Sequence, residues 1–256
     1  MVTPHVSSAA PFPRRHLGAW RALLAAACAC FVARPAAAQC IVSTIAGGGT
    51  SGSLLGSAGG LGTAALFSSP WGVAVDADGT LWVADYNNHK IRRVTPSGAV
   101  TTVAGGGVIG NLTGSLDGTG TAALFSYPIG VAVDKNGTLY VVDQGNNKLR
   151  RITPGGAVTT LAGGNTTGVQ AGNVDGVGTA AMFHLPRSIT IDSNGTLYVA
   201  DSGNSKLRRI MPSGAVSTVA GGGASGVVDG IEDGVGTAAL FFTPYGVAVD
   251  ANGTLS

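Results

Sequence analysis

Asp85, Asp143 and Asp201 stand 58 residues apart, and each is followed seven and eight positions later by an arginine pair: Arg92-Arg93, Arg150-Arg151 and Arg208-Arg209. A guanidinium presents donors in a planar fork that matches a carboxylate, so one arginine of each pair is expected to reach its aspartate. Catalysis needs one constellation, and three identical ones point to a structural ion pair in every copy. Asp76-Ala77-Asp78-Gly79 opens like a calcium loop, which would cluster oxygen ligands. No downstream Glu completes the set, and an Asp-Gly or Asn-Gly pair is what a two-residue hairpin demands. Asp117-Gly118, Asp175-Gly176 and Asp233-Gly234 precede a Thr-Ala-Ala run, where an acid reads as a local cap of a helical turn. Beyond the first 38 residues the histidines are His89 and His184, at non-equivalent positions and without metal-ligand spacing. No nucleophile elbow, phosphate loop or Cys–His pairing appears. The expectation is no catalytic residue, no metal and no resident cofactor.

The elements that must carry these residues recur as well. The stretch 72–105 returns three times, and Pro70, Pro128, Pro186 and Pro244 keep the same interval of 58. Such a period marks a repeat architecture whose units cannot bury their apolar surface alone. Each unit reads as four short strands: Val73–Asp76, Leu81–Ala84, Ile91–Thr95 and Val100–Ala104. The first hairpin turns at Asp78-Gly79, Asn136-Gly137, Asn194-Gly195 or Asn252-Gly253, and Pro96-Ser97-Gly98 closes the third strand. Apolar residues occupy both strand faces, which suits a sheet covered on each side by another. Four-stranded meanders arranged radially satisfy this, giving an all-β propeller. Thr121 is expected to cap one helical turn through Leu124, with Phe125 plugging the space between units.

The run Val83-Ala84-Asp85-Tyr86-Asn87-Asn88-His89-Lys90-Ile91-Arg92, with Pro70 and Gly72 upstream, resembles the NHL repeat, named for its Asn-His-Leu signature. The resemblance covers residues 42–256, although Asn147 and Ser205 replace the His in later copies. It implies a propeller, commonly six-bladed, used mostly to bind proteins, RNA or extracellular ligands, with a few enzymes among its members. The units run about 42–99, 100–157, 158–215 and 216–256. Val42–Ala46 reads as a lone fourth strand and Leu255-Ser256 as the start of a second. The expectation is therefore an incomplete propeller: three full four-stranded blades with partial blades at both ends, closed by further sequence or by oligomerising. Unpaired edges would make it adhesive.

Residues 1–38 read as a signal peptide, with basic residues, an apolar run from Ala22 to Ala33 and Ala36-Ala37-Ala38 before Gln39. Cys28 and Cys30 would leave with it, so Cys40 could form no internal disulfide. The remaining 39–256 is expected to have no membrane span and to be secreted, or periplasmic in a bacterium. Four of the fifteen basic residues lie in the leader, leaving 11 against 13 acidic ones, which argues against nucleic acid as partner. Asn111, Asn136, Asn165, Asn194 and Asn252 open glycosylation sequons that a eukaryotic host could use.

Meanders place the strand 1–2 and 3–4 turns at one end, where the copies are monotonous. The other end varies: Trp71, Ile129, Arg187 and Tyr245 follow the repeated proline, Tyr127 and His184 lie just before it, and Tyr86 and Gln144 follow the aspartate with His89 nearby. Loops on a rigid frame can diverge and carry recognition, and aromatics and arginine are the usual anchors. That end is expected to bind an unidentified protein or extracellular ligand. The alternative is a metal-dependent propeller lyase or lactonase whose axial site is completed by missing blades.

Overall fold

The computed structural model describes residues 42–49, 54–107, 110–165, 168–223, 226 and 228–256. Residues 1–38, read as a signal peptide and carrying Cys28 and Cys30, lie outside them, as do Gln39, Cys40 and the threonines of the Asn165 sequon. Residues 44–256 form one compact unit. Its described residues form three successive five-stranded antiparallel sheets. The first contains β1 (Gly60–Leu61), β2 (Pro70–Val75), β3 (Leu81–Asp85), β4 (Lys90–Val94) and β5 (Ala99–Gly105) in the order β1-β5-β4-β3-β2. The second repeats it with β6 (Gly118–Thr119), β7 (Pro128–Val133), β8 (Leu139–Asp143), β9 (Lys148–Ile152) and β10 (Ala157–Gly163). The third uses β11 (Gly176–Val177), β12 (Pro186–Ile191), β13 (Leu197–Asp201), β14 (Lys206–Ile210) and β15 (Ala215–Gly221).

Each sheet is the expected four-stranded meander plus one unforeseen strand. Two residues of the incoming connection, Gly60-Leu61 and its copies, pair with the last strand and extend the outer edge. Two-residue strands carry no periodicity, so nothing in the sequence marks them. The helical turn differs too. Gly120–Ala122 is a 3-10 turn whose N-cap is Thr119 with no side-chain cap, so Thr121 lies inside it. Gly120 takes φ 57°, a left-handed value suited to glycine, which directs the chain into this turn. Val42–Ala46 is not a strand, because no described segment offers a third strand for it to pair with. At the other end, Val249 and Leu255 form a bridge and Ala248 and Ser256 exchange backbone hydrogen bonds, as a second hairpin should begin.

The core lies between sheets. Phe125 is fully buried with Ala84, Ile91 and Ala104 of the first sheet and Val141 and Ile152 of the second, the plugging role expected of it. Phe183 does the same between the second and third. The first strands β2, β7 and β12 approach one another and line the propeller axis. Glycine makes this possible: a methyl at Gly72 would sit 2.3 Å from the Ile129 carbonyl oxygen, and one at Gly130 would sit 2.8 Å from that of Arg187.

Candidate functional site

The repeated aspartates are wholly buried and none is catalytic in arrangement. Asp143 accepts hydrogen bonds from the Ser126 amide at 2.7 Å, Asn146 Nδ2 at 2.8 Å and Arg150 Nη1 at 2.7 Å. Asp85 and Asp201 hold the equivalent groups, including Arg92 and Arg208. The expected fork is not formed on the carboxylate. Only Nη1 reaches it, while Arg150 Nη2 donates to the Leu116 carbonyl at 2.8 Å and to Asp117 at 2.7 Å. The guanidinium therefore stitches the incoming connection to the sheet, and it also stacks 5.1 Å from the Phe125 ring centroid. Arg93, Arg151 and Arg209, the second members of the pairs, take no part in these ion pairs; Arg93 stacks 6.0 Å from the Trp82 ring. Burial pushes the Asp143 carboxyl up to about 6 against the pull of Arg150, Asn146 and Ser126.

Asp117 and Asp175 correct the capping expectation. Each pairs with the buried arginine of its sheet and accepts from Thr160 or Thr218, amide and hydroxyl, so it ties the connection to β10 or β15. The Asp76 group is the hairpin expected: Oδ1 accepts from the Asp78 and Thr80 amides and Oδ2 from the Trp82 indole N–H. Asn136 and Asn194 donate their amides to the same Asx turns and are exposed, as is Asn252. Asn111 is exposed and donates to Asn88. Among the described residues, no three His, Cys, Asp or Glu side chains gather in a metal-holding group.

The variable end is organised by a β-bulge. Pairing skips from Pro186↔Asp201 to Ser188↔Ala200, leaving Arg187 unpaired, and the same shift isolates Ile129 and the Trp71-Gly72 pair. A bulge re-aims a side chain. Here Trp71, Ile129, Arg187 and the equivalent Tyr245 are turned toward the axis, where they line a funnel of about 220 Å³. Trp71 and Tyr245 are both 58% exposed, whereas Ile129 is buried at its floor. Along the rim, Trp71 and Tyr86 have ring centroids 6.2 Å apart and Tyr86 and Tyr127 4.9 Å, and the Tyr86 hydroxyl donates to a buried Gln144 at 3.4 Å. The Arg187 guanidinium lies 4.0 Å from the Tyr245 ring centroid. His184 is exposed beside this row, its Nδ1 3.1 Å from the Gly203 carbonyl.

His89 belongs to the frame and not to the exposed rim, where the sequence placed it. It is buried, its ring lies edge-on to Tyr127 at 4.7 Å, and Nδ1 accepts the Tyr127 amide N–H at 3.1 Å. Asn147 Oδ1 accepts from Leu185 at 3.0 Å and Ser205 Oγ from Thr243 at 3.4 Å in the same way. Three unlike side chains thus fill the same place, each an acceptor from one sheet that latches the amide opening the next. Both members of each latch have left-handed backbone, His89 at φ 55° and Tyr127 at 51°, a conformation uncommon for either. Burial lowers the His89 imidazole below its usual range, keeping it the neutral acceptor that the latch requires.

The sequence matches the NHL repeat at residues 67–93, 125–152 and 183–210. It is 30% identical over 223 residues to the Arabidopsis thaliana protein SUPPRESSOR OF QUENCHING 1, chloroplastic, covering 84% of this chain and 20% of that protein. It is 35% identical over 153 residues to human NHL repeat-containing protein 2, covering 56% of this chain and 20% of the relative. The chain thus spans about a fifth of the length of these relatives. Among solved structures, an auxiliary nutrient binding protein from Bacteroides ovatus superposes with TM-score 0.55 at 21% identity, over 73% of this chain and 44% of that one. A protein of the same description from Bacteroides thetaiotaomicron gives 0.52 at 21% identity, over 71% and 43%. Three tandem repeats, each folded as a meander with one Asp–Asn–Arg spine and joined radially to the next, make this chain an NHL-repeat β-propeller protein.

Proposed function

We propose that the chain is an exported binding scaffold which receives a partner protein at the end of the propeller that carries the bulges and the 2–3 turns. The observation carrying this reading is the contrast at the position after the repeated proline. Equivalent places in the repeat present indole, sec-butyl, guanidinium and phenol groups at 71, 129, 187 and 245, while the spine beneath repeats without change. Exposed aromatics beside an arginine supply large rigid contact area at low entropic cost, the composition of interface anchors. Export is supported by the basic and apolar leader of residues 1–38, and no helix among the described residues is long and apolar enough to cross a membrane. In a host that glycosylates exported chains, sugars on Asn136, Asn194 and Asn252 would sit at the opposite end and leave the funnel clear.

The test selects binders from a random displayed-peptide library on the immobilised chain, then measures them by calorimetry against Trp71→Ala/Tyr127→Ala. Loss of at least about 2 kcal/mol is expected for residues that anchor an interface. Unchanged affinity for every selected binder would reject this end as the binding surface.

A further inference from the structure

The buried arginines of the spine and Arg187 differ in one respect. Arg92, Arg150 and Arg208 each hold a carboxylate within 2.8 Å. Among the described residues Arg187 holds none; it stacks on Tyr245, and its Nε–H, like theirs, is buried with no hydrogen-bond partner. Among the described residues it is also the sole charged one lining the funnel. With Nε–H buried, the two terminal Nη groups of the ring-stacked guanidinium are the donors left to a ligand, and they form a parallel pair that a carboxylate accepts end-on. The flat, delocalised cation is fixed before any ligand arrives, so little further ordering opposes binding.

The surroundings narrow the ligand. The rest of the lining is Trp71, Tyr245, Ser188, glycine and aliphatic side chains, so two aromatic faces and a few hydroxyl and indole N–H groups stand beside the one cation. An aliphatic or aromatic group beside a single carboxylate would satisfy this lining. At about 220 Å³ the space is below that of a pocket for a whole drug-sized molecule, and suits one residue of a larger partner. We infer that the funnel captures a peptide carboxylate, either a chain terminus or an acidic side chain flanked by an apolar residue, with Arg187 as the anchor. This rests on the binding reading above and specifies its chemistry.

The test titrates N-acetyl-leucine, N-acetyl-glutamyl-leucinamide and the neutral N-acetyl-leucinamide into the ¹⁵N-labelled full chain, following the Arg187 Nε–H and Trp71 indole N–H resonances. Both acids are expected to shift the two signals and the neutral amide to bind about tenfold more weakly, the equivalent of one charge-assisted hydrogen bond. Whichever acid binds tighter tells terminus from side chain. Arg187→Lys keeps the charge and the stem, so its fold is retained by near-UV circular dichroism while the point charge cannot reproduce the paired donors; a similar tenfold loss is expected. Equal shifts from the neutral amide, or undiminished binding by Arg187→Lys, would overturn the carboxylate inference while leaving this end a binding surface. Tighter binding of methyl glucuronide than of either acid would also overturn it, in favour of a polysaccharide. If library binders fail at Trp71 and Tyr127 but no acid shifts Arg187, only the present inference falls.

Discussion

At the scale of single residues, the chemistry of this chain is spent on holding connections in place. Arg150 makes the point: it is fully buried, and its donors reach Asp143, Asp117 and two carbonyls of the incoming connection. Replacing both charges of such a pair with apolar groups can be neutral, whereas removing one leaves the other stranded. Arg150→Met should therefore cost about 3 to 5 kcal/mol, read from urea denaturation followed by circular dichroism. His89 yields a prediction with a defined sign. Its folded imidazole is held below the ordinary 6.5, so the unfolded chain binds more protons as pH falls through that value. The latch's stability is present above pH 6.5 and is lost progressively toward the lowered folded value. His89→Asn supplies the acceptor already used at Asn147 and does not titrate. Between about pH 7.5 and 5 the wild-type melting temperature should fall further than that of His89→Asn. Taking the difference removes the opposite contribution of Asp143, whose raised carboxyl favours folding below its unfolded value and loses that contribution as pH rises through about 6.

At the scale of the element, strands, hairpins and the buried aspartate–arginine pairing follow from residue types whose physics is local. Asn-Gly turns impose a hairpin, apolar strands impose burial, and a regular interval of 58 imposes radial repetition. The bulge was not legible: the sequence shows only that the residue after each proline varies, as does the one before it, and a bulge is a matter of pairing register. Nor was the latch. Its donors follow from left-handed backbone at Tyr127, Leu185 and Thr243, residue types that give no hint of that conformation, and its acceptors are unlike in chemistry. Neither the edge strand at Gly60-Leu61 nor the role of Asp117 could be read locally, because both depend on partners roughly forty residues away in sequence. Close approach of β2 to β7 gives the element-level test. Gly72→Ala would drive a methyl into the Ile129 carbonyl and should cost about 1 to 3 kcal/mol in chemical denaturation. Gly246→Ala, at the equivalent place in the fourth repeat, meets nothing within 4 Å and should stay within about 0.5 kcal/mol.

At the scale of the whole molecule, the three sheets are not in equal surroundings. Strand β7 is buried along almost its whole length, packed between β2 and β12, whereas Trp71, Val73 and Val75 of β2 are all more than half exposed. Identical repeats therefore differ in what covers them, and repeat arrays lose structure where neighbour contacts are fewest. Hydrogen–deuterium exchange should enter at β2 and β3 and reach Leu139–Ile152 last, and uniform protection across the three sheets would contradict this. Opening from that side would also dissolve the funnel before the rest of the molecule gives way, since Trp71 leaves with the first sheet while Arg187 and Tyr245 remain together on the third and fourth repeats. A tethered ligand touching both halves would act as a brace, slowing the earliest exchange most and the latest least.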